Sequence, residues 1–97
     1  MQKGKRVLRH YVIDKDLFKL MAHKAIDDEC DNADVLETFL EELMQEKFEK
    51  IEEIELKNKC QKTLRLHEKY WVFIDELCEK NKLSGGQVIS SILSQFL

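Results

Sequence analysis

The chain has 97 residues, 36% charged and 43% hydrophobic, the size and balance of a single small domain with a thin core. No apolar run approaches about 18 residues, which excludes a membrane-spanning helix; the first residues, Met-Gln-Lys-Gly-Lys-Arg, have no apolar stretch behind their charges, so no secretory signal is read and an intracellular site is expected. The net charge of −3 argues against indiscriminate binding to nucleic acid.

The first predicted element is a strand at Tyr11-Val12-Ile13, a run of β-branched and aromatic residues. Asp14 stands near the start of a helix whose apolar residues Leu17, Met21 and Ala25 share one face. The polar break Asp27-Asp28-Glu29 follows, and Asp31 suits the N-cap of a second helix because its carboxylate can accept from the first free backbone N–H groups. In residues 45–58, Phe48, Ile51, Ile54 and Leu56 are spaced through a charged background lacking Gly and Pro, and Glu46 precedes Lys50 by one turn; this predicts a helical connector. Thr63-Leu64-Arg65-Leu66 then alternates as a strand with one buried face does. His67 stands near the start of the next helix, marked by Tyr70, Ile74, Leu77 and Cys78, which breaks at Lys80-Asn81-Lys82; Ser84 suits the N-cap of the last.

The order strand, helix, helix thus occurs twice. At an offset of 53 residues, without a gap, Ile13 falls on Leu66, Leu17 on Tyr70, Phe18 on Trp71, Met21 on Ile74 and Ala25 on Cys78. The same offset carries Val35 onto Val88, Leu36 onto Ile89, Phe39 onto Ile92, Leu40 onto Leu93, Leu43 onto Phe96 and Met44 onto Leu97. One copy alone would leave its strand unpaired and its apolar face uncovered; two copies solve both problems if the strands pair and the helices close over them. The expected fold is mainly α with a short two-stranded antiparallel β-ribbon, divided into a first motif at 5–44, a charged connector at 45–58 and a second motif at 59–97.

Charge is segregated along this plan. Lys3, Lys5, Arg6, Arg9 and Lys15 stand against one acid, Asp14, and Lys57, Lys59, Lys62, Arg65 and Lys69 against one acid, Glu68, while residues 41–56 hold seven glutamates. Such segregation gives an acidic protein the means to form a basic face. Cys30, Cys60 and Cys78 are widely spaced, with no CxxC pair or neighbouring histidine, and read as reduced thiols; no metal or cofactor is expected. His10, His23 and His67 form no catalytic grouping, so an enzyme is not expected either.

Arg65-Leu66-His67-Glu68-Lys69 at the strand exit, the apolar set Ile74, Leu77 and Cys78, and Leu83-Ser84-Gly85-Gly86-Gln87-Val88-Ile89 together resemble the ribbon-helix-helix superfamily, that of the methionine and Arc repressors and the small plasmid copy-number repressors. The resemblance covers Gln61 to Leu97; the first copy joins it chiefly through the repeat. The whole looks like the tandem single-chain form seen in some conjugative-plasmid and archaeal-virus proteins, two motifs forming an intramolecular pseudo-dimer. There are departures: His67 stands where proline is common, and Lys24 stands where the second copy has Leu77. Glu29 and Lys82 replace the glycine that ends the first helix, leaving Asp28 or Asn81 to supply a left-handed residue.

The resemblance implies a ribbon that enters the DNA major groove and reads bases with its outward side chains, Gln61, Thr63 and Arg65 in the second copy. In the first copy the gap-free offset turns Leu8, His10 and Val12 outward, whereas a slip of one residue presents Arg9 and Tyr11; His10, Arg6 and Arg9 are further candidates. Phosphate contacts are expected at Ser84, Gly85 and Gly86, on a helix N-terminus, with Lys62, Lys5 and Asn32 as additional candidates. The first copy's corresponding start, Asp31-Asn32-Ala33 behind Asp27, Asp28 and Glu29, is acidic and predicts a weaker anchor. The implied partner is double-stranded DNA, with no membrane, and with a homodimer or cooperative assembly on adjacent sites as further associations. The function expected is a sequence-specific transcription regulator, a repressor. Two alternatives stand beside it: an accessory protein of plasmid mobilisation or partition with the same DNA contact, and a protein-interaction module using residues 41–56 or Phe48 and Ile51. The blander readings are that Gly85-Gly86 is only a turn and Arg65 only a solvated strand charge.

Overall fold

Period-two alternation decides which side of each strand meets the core. In the computed structural model, which describes residues 5–47 and 50–97, β1 (Arg6–Asp14) and β2 (Lys59–His67) form one antiparallel ribbon. The register runs from Arg6 opposite His67 to Asp14 opposite Lys59, with His10 opposite Thr63 at the centre. Ile13, Leu64 and Leu66 are buried on the inner side. Helices α1 (Lys15–Asp27) and α2 (Asn32–Gln45) follow β1, α3 (Glu68–Asn81) and α4 (Gly85–Phe96) follow β2, and all four pack behind the ribbon. The protein is therefore mostly helical with a two-stranded antiparallel sheet. Both strands are longer than the alternation alone suggests, because their ends carry charged residues and β1 places apolar Leu8 and Val12 outward, which masks the period.

The core follows the sequence repeat closely. Ile13 and Leu66, Met21 and Ile74, Leu36 and Ile89, and Leu40 and Leu93 are fully buried pairs, and Trp71 fills the centre. Contacts between the halves recur at the same 53-residue offset. The N–H of His67 donates to Glu37 Oε2 at 2.7 Å, and that of Asp14 to Ser90 Oγ at 3.1 Å, so each strand exit is held by the other half's second helix. The guanidinium carbon of Arg9 lies 5.1 Å from the Trp71 ring centre, and Lys62 Nζ 4.8 Å from that of Phe18.

The connector differs from expectation: residues 50–58 contain no helix. In a helix the segment would pair its own N–H and C=O groups. Its backbone groups find partners on other elements instead. Ile51 N–H donates to Asn81 Oδ1 at 2.9 Å, Ser91 Oγ to Glu52 O at 2.7 Å, and Lys57 N–H to Asp14 Oδ2 at 3.2 Å. Ile51 is buried in the core rather than offered to a partner, and Phe48 lies outside the described residues.

The helix ends also correct the sequence reading. Asp31 and Ser84 occupy the N-cap positions as expected, and Asp14 and His67, expected near the helix starts, are the N-caps of α1 and α3. The left-handed residues, however, are Glu29 and Lys82 themselves, each at φ 55°, and not Asp28 or Asn81. Cys30 N–H reaches back to Ala25 O and Leu83 N–H to Cys78 O, which fixes the turn geometry whatever the side chain. An L-residue in this conformation costs about 1 kcal/mol. Glu29→Gly and Lys82→Gly are each expected to raise stability, by up to about 1 kcal/mol in urea unfolding; a loss at both positions would show that their side chains hold the turns.

Candidate functional site

The outer side of the ribbon consists of three cross-strand pairs, Leu8 with Arg65, His10 with Thr63 and Val12 with Gln61, all exposed. This is the gap-free register; Arg9 and Tyr11 face the helices. His10 Nδ1 and Thr63 Oγ1 share a hydrogen bond of 2.9 Å at the midpoint of the ribbon. The side chains of Arg65 and Gln61 make no hydrogen bond or ion pair among the described residues, so their donors are free to meet a ligand.

The other two arginines of the ribbon are engaged. Arg6 hydrogen-bonds Asp34 and, at 3.2 Å, Glu37, with Asp31 at 3.8 Å. The Asp34 hydrogen bond is the main cause holding its pKa above the ordinary value. Glu37, almost buried, also accepts from the backbone and shares a 2.8 Å contact with the ring of His67, so one carboxylate ties β1, α2 and the exit of β2 together. Arg9 donates to Tyr11 Oη at 3.3 Å and Asp75 Oδ1 at 3.0 Å, over the Trp71 ring that also meets Tyr11 at 5.4 Å between centres. Neither guanidinium is directed to the outer face.

The phosphate candidates separate in the same way. Lys5 is exposed beside the start of β1, and Lys62 is on the helix side over Phe18. Ser84 closes a capping box, its Oγ accepting from Gln87 N–H at 3.2 Å while Gln87 Oε1 accepts from Ser84 N–H at 3.0 Å. Gly85 and Gly86 are required by packing: a Cβ on Gly86 would stand 1.8 Å from the Val12 carbonyl oxygen, and one on Gly85 2.1 Å from the Tyr11 ring. The α4 start is thereby pressed against β1, beside a cavity lined by Glu53, Glu55, Lys59, Ser84 and Gln87. Asn32 lines the corresponding groove at the α2 start with Lys5, Arg6, Asp31, Thr63 and Arg65. Both helix starts thus carry nearby carboxylates, and the asymmetry expected between them is reduced by two connector glutamates that a helical connector would have placed elsewhere.

Sequence reasoning did not single out Lys59, exposed at the far end of the ribbon, although the basic stretch 57–69 contained the signal. Nor did it give a role to Leu8 and Val12, treated as a weak reading set. The cysteines are partly buried, and desolvation raises the pKa of Cys30 and Cys78, so neither is a ready thiolate. No helix among the described residues is long and apolar enough to cross a membrane, and none of their His, Cys, Asp and Glu side chains group as a metal site. Comparison of the chain with known families, with curated proteins and with solved structures returns no match.

Two substitutions separate packing from binding. Gly86→Ala is expected to cost about 2–3 kcal/mol of stability through overpacking against β1, read as a lower urea midpoint. Arg6→Ala leaves Glu37 without its cation and is expected to cost roughly 1–3 kcal/mol; an unchanged midpoint would show that His67 alone satisfies that carboxylate.

Proposed function

We propose that the chain is a sequence-specific double-stranded DNA-binding regulator of transcription, a repressor, that inserts the β1–β2 ribbon into the major groove. The observation that carries this reading is the outer face: an exposed ribbon bearing unpaired Arg65 and Gln61 side chains with Thr63 and His10 between them, while the other arginines are paired with carboxylates of the helices. Two strands about 4.8 Å apart fit a groove about 12 Å wide. Arg65 suits guanine O6 and N7, Gln61 suits adenine N6 and N7, and Lys5 and Lys59 lie at opposite ends of the ribbon, where the phosphate backbones would run.

The reading includes two tandem ribbon-helix-helix motifs acting as an intramolecular pseudo-dimer. Its support is the recurrence of cross-half contacts at the 53-residue offset, His67 with Glu37 and Asp14 with Ser90, Arg9 with Trp71 and Lys62 with Phe18. A symmetric homodimer presents the same residues at both ends of its ribbon; this chain presents Leu8 with Arg65 at one end and Val12 with Gln61 at the other. The site it reads is therefore non-palindromic.

The test is selection from random duplexes, followed by a salt titration and substitution. Binding should weaken steeply with salt as phosphates are neutralised. Arg65→Ala should reduce affinity for the selected duplex by about 10- to 100-fold and relax the preference at one base pair, the usual worth of a bidentate contact. Failure of the intact chain to bind any duplex at low salt would overturn the reading.

A further inference from the structure

Two of the six outward positions on the ribbon are occupied by side chains that hydrogen-bond nothing. Leu8 is 45% exposed and Val12 47% exposed, each directly opposite a long polar residue of β2, Arg65 and Gln61 respectively. They do not fill the core, which lies on the other side of the strand. Exposed apolar residues in the middle of a ribbon also favour unwanted association, so they act against solubility unless something covers them. All three outward residues of β2 are polar; the apolar character is confined to β1.

In the major groove the one apolar feature on a base-pair edge is the C5 methyl of thymine. Resting on the DNA-binding reading above, we propose that Leu8 and Val12 are thymine-methyl contacts, and that the ribbon therefore requires thymine, not merely a pyrimidine, at two positions. Cross-strand side chains on one face are about 5 Å apart. The Val12–Gln61 pair is accordingly suited to one A·T pair, the amide on adenine N6 and N7 and the isopropyl group on the methyl of its thymine. At the other end Arg65 takes a guanine and Leu8 the methyl of an adjoining thymine. Leu8 and Val12 are four residues apart on β1, about 13 Å along the strand and so about four base pairs along the duplex. Uracil lacks the methyl, so the same two residues discriminate against it, in addition to the deep, narrow major groove by which duplex RNA excludes side chains of any kind.

The experiment uses the intact chain and its selected duplex, with each thymine replaced in turn by deoxyuridine and the dissociation constant read by fluorescence anisotropy. Replacement at two positions about four base pairs apart is expected to weaken binding about fourfold each, the effect of losing one buried methyl group. The penalty at one position should vanish in Leu8→Ala and that at the other in Val12→Ala, with Leu8→Thr and Val12→Thr as variants that retain strand preference. Tight binding to the selected duplex with indifference to uracil at every position would overturn this inference and leave the DNA reading intact, as would penalties that persist unchanged in the variants. Absence of any duplex binding would remove both, and equal affinity for the RNA duplex would overturn the methyl contact.

Discussion

Everything else in this molecule depends on the pairing of β1 with β2. Among the described residues neither strand has another strand beside it, and each would expose a row of unsatisfied backbone groups without the other. Once His10 stands opposite Thr63, the buried face of each strand is fixed and the helix after each strand is launched from opposite ends of the ribbon. The hydrogen bonds from His67 to Glu37 and from Asp14 to Ser90 then secure those launching points. A slip of one residue would put the buried sets of the two strands on opposite faces, turning either Ile13 or the pair Leu64 and Leu66 to solvent, which explains why one register is so strongly preferred.

The same pairing sorts the cations. Chain position alone makes Arg6, Arg9 and Arg65 equivalent members of two basic stretches. The fold places Arg6 beside three carboxylates of the α2 first turns and Arg9 between Asp75 and the Trp71 ring, and gives the Arg65 side chain no partner among the described residues. Two arginines are paired within the structure and one is left exposed. This division, more than net charge, is what the proposed DNA reading of an acidic protein rests on.

Close packing and tolerated strain share out the roles of the special residues. Gly85 and Gly86, which look like a phosphate-binding turn, are the only way for α4 to approach β1 as closely as it does. At the ends of α1 and α3 the positions that glycine would suit by conformation, 29 and 82, hold glutamate and lysine, and the backbone bonds there maintain the left-handed turn regardless. The offset between the halves survives in backbone geometry even where the side chains have diverged.

By itself the sequence determined the two strands and the four helices, their order, the N-caps Asp31 and Ser84 and nearly all of the buried face, because those follow from periodicity and local capping chemistry. The offset offered Leu8, His10 and Val12 as the outward set of β1 beside the slipped alternative of Arg9 and Tyr11, and the pairing of the strands decided for the first. Only the tertiary structure decided which arginine is free, since ion pairing joins residues as far apart as Arg9 and Asp75. It alone decided the path of the connector, where Ile51 and Lys57 N–H donate to Asn81 and Asp14, and Glu52 O accepts from Ser91, in place of the bonds of a helix. Local patterns record local preferences; a long-range contact leaves no trace in either of the segments that make it.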